Sequence, residues 1–186
     1  MRAMILAAGR GKRLQPLTNT LPKPLVPIAG KPLIEYHLQR LAACGIDEIV
    51  INVSYLGQQI MDTLGSGEKY GVRINYSIEP EPLEVAGGII HALPLLGAEP
   101  FLIVNGDIWT DYPFNKLEQL AEHWTPHFKK QAHLVLVNNS PKHPEGDFGL
   151  ADGVLLQGQI QPKFTYSGIA LYTPEFFNGY APGPRA

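Results

Sequence analysis

The chain of 186 residues has one cysteine, Cys44, so no internal disulfide can form and a reducing cytoplasm is the expected location. Cys44 falls where a helix should end and reads as a small packed hydrophobe rather than a nucleophile. Long apolar runs are also missing. The stretch from Ala3 to Ala8 is too short for a signal peptide and leads into glycines and cations, and no stretch approaches membrane-spanning length. Charge of one sign is scarce, with 15 Lys and Arg against 17 Asp and Glu and a formal net charge of −2. That balance leaves no broad cationic surface for nucleic acid or an anionic membrane. No Gly-x-Ser-x-Gly elbow or Cys-x-x-Cys pair occurs, which removes the common hydrolase and zinc-site readings. No Gly-Lys-Ser/Thr string ends a Walker loop, and the position where a dinucleotide fingerprint needs its third glycine is Leu14.

What is present is concentrated near the N-terminus. The apolar run Met4-Ile5-Leu6-Ala7-Ala8 delivers the backbone to Gly9 and Gly11, which leave room for a bulky anion to touch the main chain. Arg10, Lys12 and Arg13 put positive charge around the same spot, and exposed N–H groups with cations on one concavity make a polyphosphate site. A second segment, Leu21-Pro22-Lys23-Pro24-Leu25-Val26-Pro27, holds a lone lysine between prolines on a stiff backbone.

The order of apolar and amphipathic segments implies helices layered on a largely parallel sheet in one domain, 1–186. A chain of this length buries roughly 70% of its unfolded surface and needs no staples. Expected strands are Arg2–Ala8, Glu48–Val53, Val72–Ile78, Phe101–Asn105, His133–Val137, a short pair around Phe148–Leu156, and Thr165–Tyr172. Expected helices are Pro32–Cys44, with Pro32 at the first helical position and Gly45 as a left-handed stop, then Gly57–Leu64, Ala86–Leu96 opened by Gly87-Gly88, and Phe114–Trp124 ended by Pro126. Prolines between Gly9 and Pro32 forbid a long helix there, and a connection of that length is a functional loop. The tail from Tyr180 onward cannot be a regular element. His123 and His127 have metal-like spacing, but Pro126 lies between them, so they read as surface residues. Ligands in such a fold gather at the carboxyl ends of the strands. The segments Gly9–Arg13, Glu79–Glu84 and Asn105–Asp107 therefore share one edge.

The joint occurrence of Gly-x-Gly-x-Arg-x-x-Pro-Leu-Thr and Pro-Lys-Pro-Leu-Val-Pro resembles the sugar-1-phosphate nucleotidyltransferases, from Met1 to about Thr173. Gly30-Lys31-Pro32-Leu33-Ile34-Glu35-Tyr36-His37-Leu38, Glu81-Pro82-Leu83-Glu84, Val104-Asn105-Gly106-Asp107-Ile108-Trp109-Thr110-Asp111 and Gly146-Asp147-Phe148 are most similar to the bacterial members acting on N-acetylmuramate 1-phosphate with UTP, in peptidoglycan sugar recycling. The resemblance implies a Rossmann-like, three-layer α/β fold of GT-A type with a mixed, mostly parallel sheet. It implies a cytoplasmic, Mg²⁺-dependent transferase whose partners are an NTP and a sugar 1-phosphate. Glucose or mannose 1-phosphate with dTTP, CTP or GTP, and a catalytically silent binding homologue, are the alternatives.

The implied reaction joins two anions. Two unit charges about 4 Å apart repel by about 4 kcal/mol at an effective dielectric near 20, so screening and positioning dominate catalysis. Arg13 is expected to hold the β- and γ-phosphates, where its planar fork suits phosphate oxygens. Lys23 is expected on the attacking phosphate and the α-phosphate. Asp107, which follows an apolar strand, is the metal candidate. Leu6, Ala7, Ala8, Gly9, Gly11, Arg13, Glu79, Glu84, Gly87 and Gly88 are expected on the nucleotide, with Glu84 accepting from a uracil imide N–H and the two glycines admitting ribose and base. Lys23, Asn105, Gly106, Asp147, Ser167 and Gly168 are expected near the sugar phosphate. Asp111 is expected only as a helix cap. The family's second metal aspartate lies past the last matched strand, so the domain is expected to lack its C-terminal segment.

Overall fold

The computed structural model describes residues 1–124, 131–156, 161–181 and 183–185. Strand β1 (Arg2–Leu6) leads into a long connection with single 3₁₀ turns at Lys12–Leu14, Leu17–Asn19 and Lys23–Leu25. A small hairpin, β2 (Pro27–Ile28) with β3 (Lys31–Pro32), ends it. Then follow α1 (Leu33–Ala43), β4 (Glu48–Val53), α2 (Gly57–Leu64), β5 (Arg73–Ile78), α3 (Glu84–Leu96), β6 (Phe101–Asn105) and α4 (Asn115–Glu122). The remaining strands are β7 (Ala132–Val137), β8 (Phe148–Ala151), β9 (Val154–Leu156) and β10 (Lys163–Tyr172).

The main sheet has the order β5-β4-β1-β6-β10-β8-β9, with β7 also paired to β10. β5, β4, β1 and β6 are mutually parallel, and β10 runs antiparallel to β6. Apolar side chains alternate to both faces, as period-two geometry demands of a covered sheet. Ala3, Ile5, Ile49, Ile51, Leu102 and Val104 pack with Ile34, Leu38 and Leu41 of α1 and Leu117 of α4. Met4, Val50, Phe101 and Ile103 pack on the other face with Ile89, Ile90 and Ala92 of α3. The result is the expected three-layer arrangement. Among the described residues no helix is long and apolar enough to cross a membrane.

Several boundaries differ for local reasons. β1 ends at Leu6 rather than Ala8, because the Ala7 N–H turns out of the ladder to the Asn52 side chain. Pro32 flanks α1 in an extended conformation (ψ 136°) instead of opening it, while Gly45 takes the left-handed φ of 79°. α3 begins at Glu84, two residues before the expected Ala86 and three before Gly87-Gly88. α4 is shorter at both ends than expected, Phe114 flanks its start, and Asp111 does not cap it. Pro126 and His127 lie outside the described residues, and His123 Nδ1 is 2.6 Å from the Gln119 carbonyl of its own helix.

Candidate active site

The carboxyl ends of β1, β4, β5 and β6 open onto a cleft of about 600 Å³ lined by both the β1 turn and the β5–α3 connection. Leu6, Ala7, Ala8, Gly9, Glu79 and Glu84 line one part, and Lys23, Asn105, Gly106 and Asp107 another. A smaller recess of about 220 Å³ adjoins it, walled by Gly9, Gly11, Arg13, Lys23 and Asp107. Guanidinium, ammonium and carboxylate thus meet in one concavity. Arg10 and Lys12 also line the larger cleft, and the Arg10 guanidinium lies 5.0 Å from the Tyr55 ring centroid.

Local chemistry fixes the cations. Pro22 and Pro24 are both buried and hold Lys23 between them in a 3₁₀ turn, so the segment is anchored by its prolines while the ammonium reaches outward. Lys23 Nζ donates to Asp107 Oδ2. Gly11 has a φ of 63° and donates nothing from a side chain, yet its carbonyl accepts from the buried Thr18 hydroxyl at 2.8 Å. A Cβ at Gly11 would lie 2.9 Å from the Thr18 methyl and 3.2 Å from Lys23 Cβ. The glycine and threonine of the N-terminal motif therefore shape the turn on which the cations sit.

Asp107 is presented by a pinned loop. The Gly106 N–H donates to the Leu6 carbonyl at 2.9 Å, and a Cβ at Gly106 would strike that oxygen at 2.7 Å. Beyond Asp107, Ile108 and Tyr112 pack on the core and Arg40 of α1 donates to the Tyr112 carbonyl at 2.9 Å. His37, one turn before Arg40, is 1% exposed, so burial holds its pKa below the ordinary value and leaves the ring neutral beneath this loop.

Near the end of β6, β10 carries an irregularity between Tyr166 and Ala170 that takes in Ser167 and Gly168, two residues expected near a sugar phosphate. Bulges of this kind re-aim side chains beside functional sites. Gly168, at φ 85°, lies against Asn105, whose side-chain atoms a Cβ would meet at 3.0 Å. Asn105 Oδ1 is buried without a hydrogen-bond partner among the described residues. Ser167 Oγ accepts from the Ile169 N–H at 3.3 Å.

Five sequence-predicted residues line neither cavity: Ser167 and Gly168, the latter reaching it only through Asn105, and Asp147, Gly87 and Gly88. Asp147 has both oxygens engaged elsewhere, one with His143 Nε2 at 3.0 Å and one with the Tyr166 N–H at 2.8 Å, so it clamps its loop to β10. Gly87 faces the chain's tail: its N–H donates to the Arg185 carbonyl at 3.1 Å, and the Arg185 N–H donates to the Leu83 carbonyl at 2.9 Å. Gly88 abuts the side chains of Asn52 and Glu79, not a ligand space. Conversely, sequence reasoning passed over Asn52, which lines the cleft. The available signal was a lone amide near the end of the otherwise apolar run Ile49–Val53.

The residues present fit a divalent cation of the hard, oxygen-seeking kind. Asp107 is a partly exposed carboxylate, and Mg²⁺ is commonly held by one or two carboxylates with substrate phosphates completing the shell. No group of three or more His, Cys, Asp or Glu that could hold a metal forms among the described residues.

A family model described as nucleotidyl transferase matches residues 2–160. The chain is 52% identical over its full length to N-acetylmuramate alpha-1-phosphate uridylyltransferase of Neisseria meningitidis, covering 81% of that protein. It is 37% identical to the protein of the same name from Caulobacter vibrioides, over 98% of this chain and 79% of the other. A mannose-1-phosphate guanyltransferase of Yarrowia lipolytica is 40% identical over 77% of this chain, which spans only 39% of that longer protein. Among solved structures, HddC from Yersinia pseudotuberculosis complexed with GMP-PN superposes with a TM-score of 0.76 over 96% of this chain and 79% of that one. At 23% identity this likeness speaks for the fold alone. With the family model matching most of the chain and a relative sharing about half of its residues, the chain belongs to the nucleotidyl transferase family.

Proposed function

We propose that this protein joins UTP and N-acetylmuramate 1-phosphate to give a UDP-sugar and pyrophosphate, with Mg²⁺, in peptidoglycan sugar recycling in the cytoplasm. The observation that carries the reading is the meeting of Arg13, Lys23 and Asp107 in one recess beside the larger cleft. The identity to the two uridylyltransferases supports the choice of nucleotide and sugar. A sugar phosphate is already a nucleophile at neutral pH, so the protein has no proton to abstract and acts by bringing repelling anions into line. Arg13 grips the β- and γ-phosphates and stabilises departing pyrophosphate. Lys23 bridges the attacking phosphate and the α-phosphate, where charge accumulates. Asp107 would hold the Mg²⁺, which would supply positive charge against the triphosphate.

The backbone of Leu6, Ala7, Ala8, Gly9 and Gly11 lies along the nucleotide, and the Glu84 carboxylate accepts from the uracil imide. Glu84 stands at φ 60° at the start of α3, an unfavourable conformation for a residue with a Cβ. It is held there because Leu83 before it is hydrogen-bonded through both its N–H and its carbonyl. Asn105 Oδ1 receives a sugar hydroxyl, with Gly106, Ser167 and Gly168 shaping that end.

A pyrophosphate-release assay across UTP, dTTP, CTP and GTP with N-acetylmuramate, glucose and mannose 1-phosphates tests the assignment. UTP with N-acetylmuramate 1-phosphate is expected to give the highest kcat/KM; a higher value for another pair would replace it. In the same assay Gly11→Ala is expected to lose at least about tenfold in kcat/KM, since the left-handed backbone disfavours a Cβ by about 1–2 kcal/mol and the Thr18 contact adds to that. Wild-type kinetics in that variant would show that the turn does not shape the phosphate site.

A further inference from the structure

Asn52 and Glu79 are 3% and 2% exposed, yet they lie at the floor of the cleft. They come from neighbouring parallel strands, β4 and the end of β5, on the face covered by α3. The Ala7 N–H donates to Asn52 Oδ1 at 2.8 Å. Asn52 Nδ2 donates to Glu79 Oε1 at 2.7 Å, and the Leu83 N–H donates to Glu79 Oε2 at 3.0 Å. One amide and one carboxylate thereby span the cleft floor from the β1 turn to the residue that precedes Glu84. The pattern is complete in direction: every contact pairs one donor with one acceptor. Gly88 belongs to it, because a Cβ there would lie 2.7 Å from Glu79 Oε1 and 2.9 Å from Asn52 Nδ2.

We infer that Asn52 and Glu79 are positioning residues, a tie that fixes the Ala7–Gly9 wall against the Leu83–Val85 wall and so sets the nucleoside end of the cleft. The inference rests on the nucleotidyl-transfer reading for its ligand. Its physical basis is that a buried amide and carboxylate fully matched to partners rigidify what they connect, while a mismatch leaves a buried polar group unsatisfied. A tie between the walls that contact a nucleoside therefore controls affinity for the nucleotide without touching the reacting phosphorus.

The direction of the hydrogen bonds supplies the test. Asn52→Asp alone sets two carboxylates against each other. Glu79→Gln alone turns an amide N–H toward either Asn52 or Leu83. The double variant Asn52→Asp/Glu79→Gln restores the order: the new carboxylate at 52 accepts from Ala7 and from the new amide at 79, whose oxygen accepts from Leu83. Amide hydrogen exchange at Ala7 and Leu83 reports the tie, and calorimetric titration with Mg·UTP reports its consequence. Each single variant is expected to exchange faster at those amides and to bind UTP about tenfold more weakly, and the double variant to recover to within about threefold of wild type. If a single variant fails to fold, a folded, UTP-binding double variant still supports the tie. Loss of affinity in the double equal to the product of the two single losses would overturn it, as would faster exchange with unchanged UTP affinity. Should wild type bind no nucleoside triphosphate, the nucleotidyl-transfer reading falls instead. The tie itself would then fall only if Ala7 exchange failed to recover in the double variant.

Discussion

Lys23→Ala is expected to lower the rate constant for uridylyl transfer by about 10²–10³-fold while shifting the UTP dissociation constant by less than about fivefold. The asymmetry follows from where the ammonium stands. Arg10, Lys12 and Arg13 remain to hold a triphosphate in its ground state. Lys23 is instead the cation beside Asp107, lining both cavities, where the proposed reaction brings sugar phosphate and α-phosphate together. An interaction that strengthens as charge builds between two phosphates appears in kcat, whereas one made equally in the ground state appears in KM. Because Pro22 and Pro24 carry the burial, the truncation leaves the segment anchored. Single-turnover kinetics with saturating substrates separate the alternatives. A loss confined to KM would move Lys23 from the transition state to simple nucleotide binding.

Asp107→Asn is expected to reduce turnover by at least about 10²-fold, and raising Mg²⁺ is expected not to restore it. The substitution keeps the side chain's shape and the backbone bond from Gly106 to Leu6. It removes a carboxylate that lines both cavities, and with it the ionic partner of Lys23. Lys23→Ala, by contrast, leaves the oxygens for the cation in place and is expected to retain Mg²⁺ dependence of its residual rate. Titrating Mn²⁺ into each variant in the presence of UTP reads the difference directly. Equal cation affinity in wild type and Asp107→Asn would remove Asp107 as the metal ligand.

Much of this was legible in the chain because its signals are local. Short apolar runs marked β4 and β6 and the Ile60 and Leu64 spacing marked α2 to the residue, and the proline spacing ruled out a long helix before α1. The convergence of Arg13 and Asp107 followed from placing their segments at the carboxyl ends of parallel strands, and Lys23 was marked by the prolines that flank it. What escaped were features that depend on non-local contacts. Gly87 and Gly88 look like any glycine pair admitting a ligand, but one accommodates the tail near Arg185 and the other the Asn52–Glu79 pair. Asp147 sits in a turn as a sugar-binding aspartate would, and only the return of β10 supplies the Tyr166 N–H that occupies it. Asn52 carried no motif. Its meaning arises from β5 and the β1 turn, which are distant in sequence and flank β4 in the sheet.

The most direct measurement uses N-acetylmuramate 1-phosphate labelled with ¹⁸O at its non-bridging phosphate oxygens, incubated with UTP and Mg²⁺. Attack by the sugar phosphate on the α-phosphorus leaves every label in the UDP-sugar, including the oxygen joining the two phosphorus atoms, and releases unlabelled pyrophosphate. Label in the pyrophosphate, an unlabelled joining oxygen, or UTP cleaved to UMP without sugar incorporation would contradict a site built to bring two phosphate esters together.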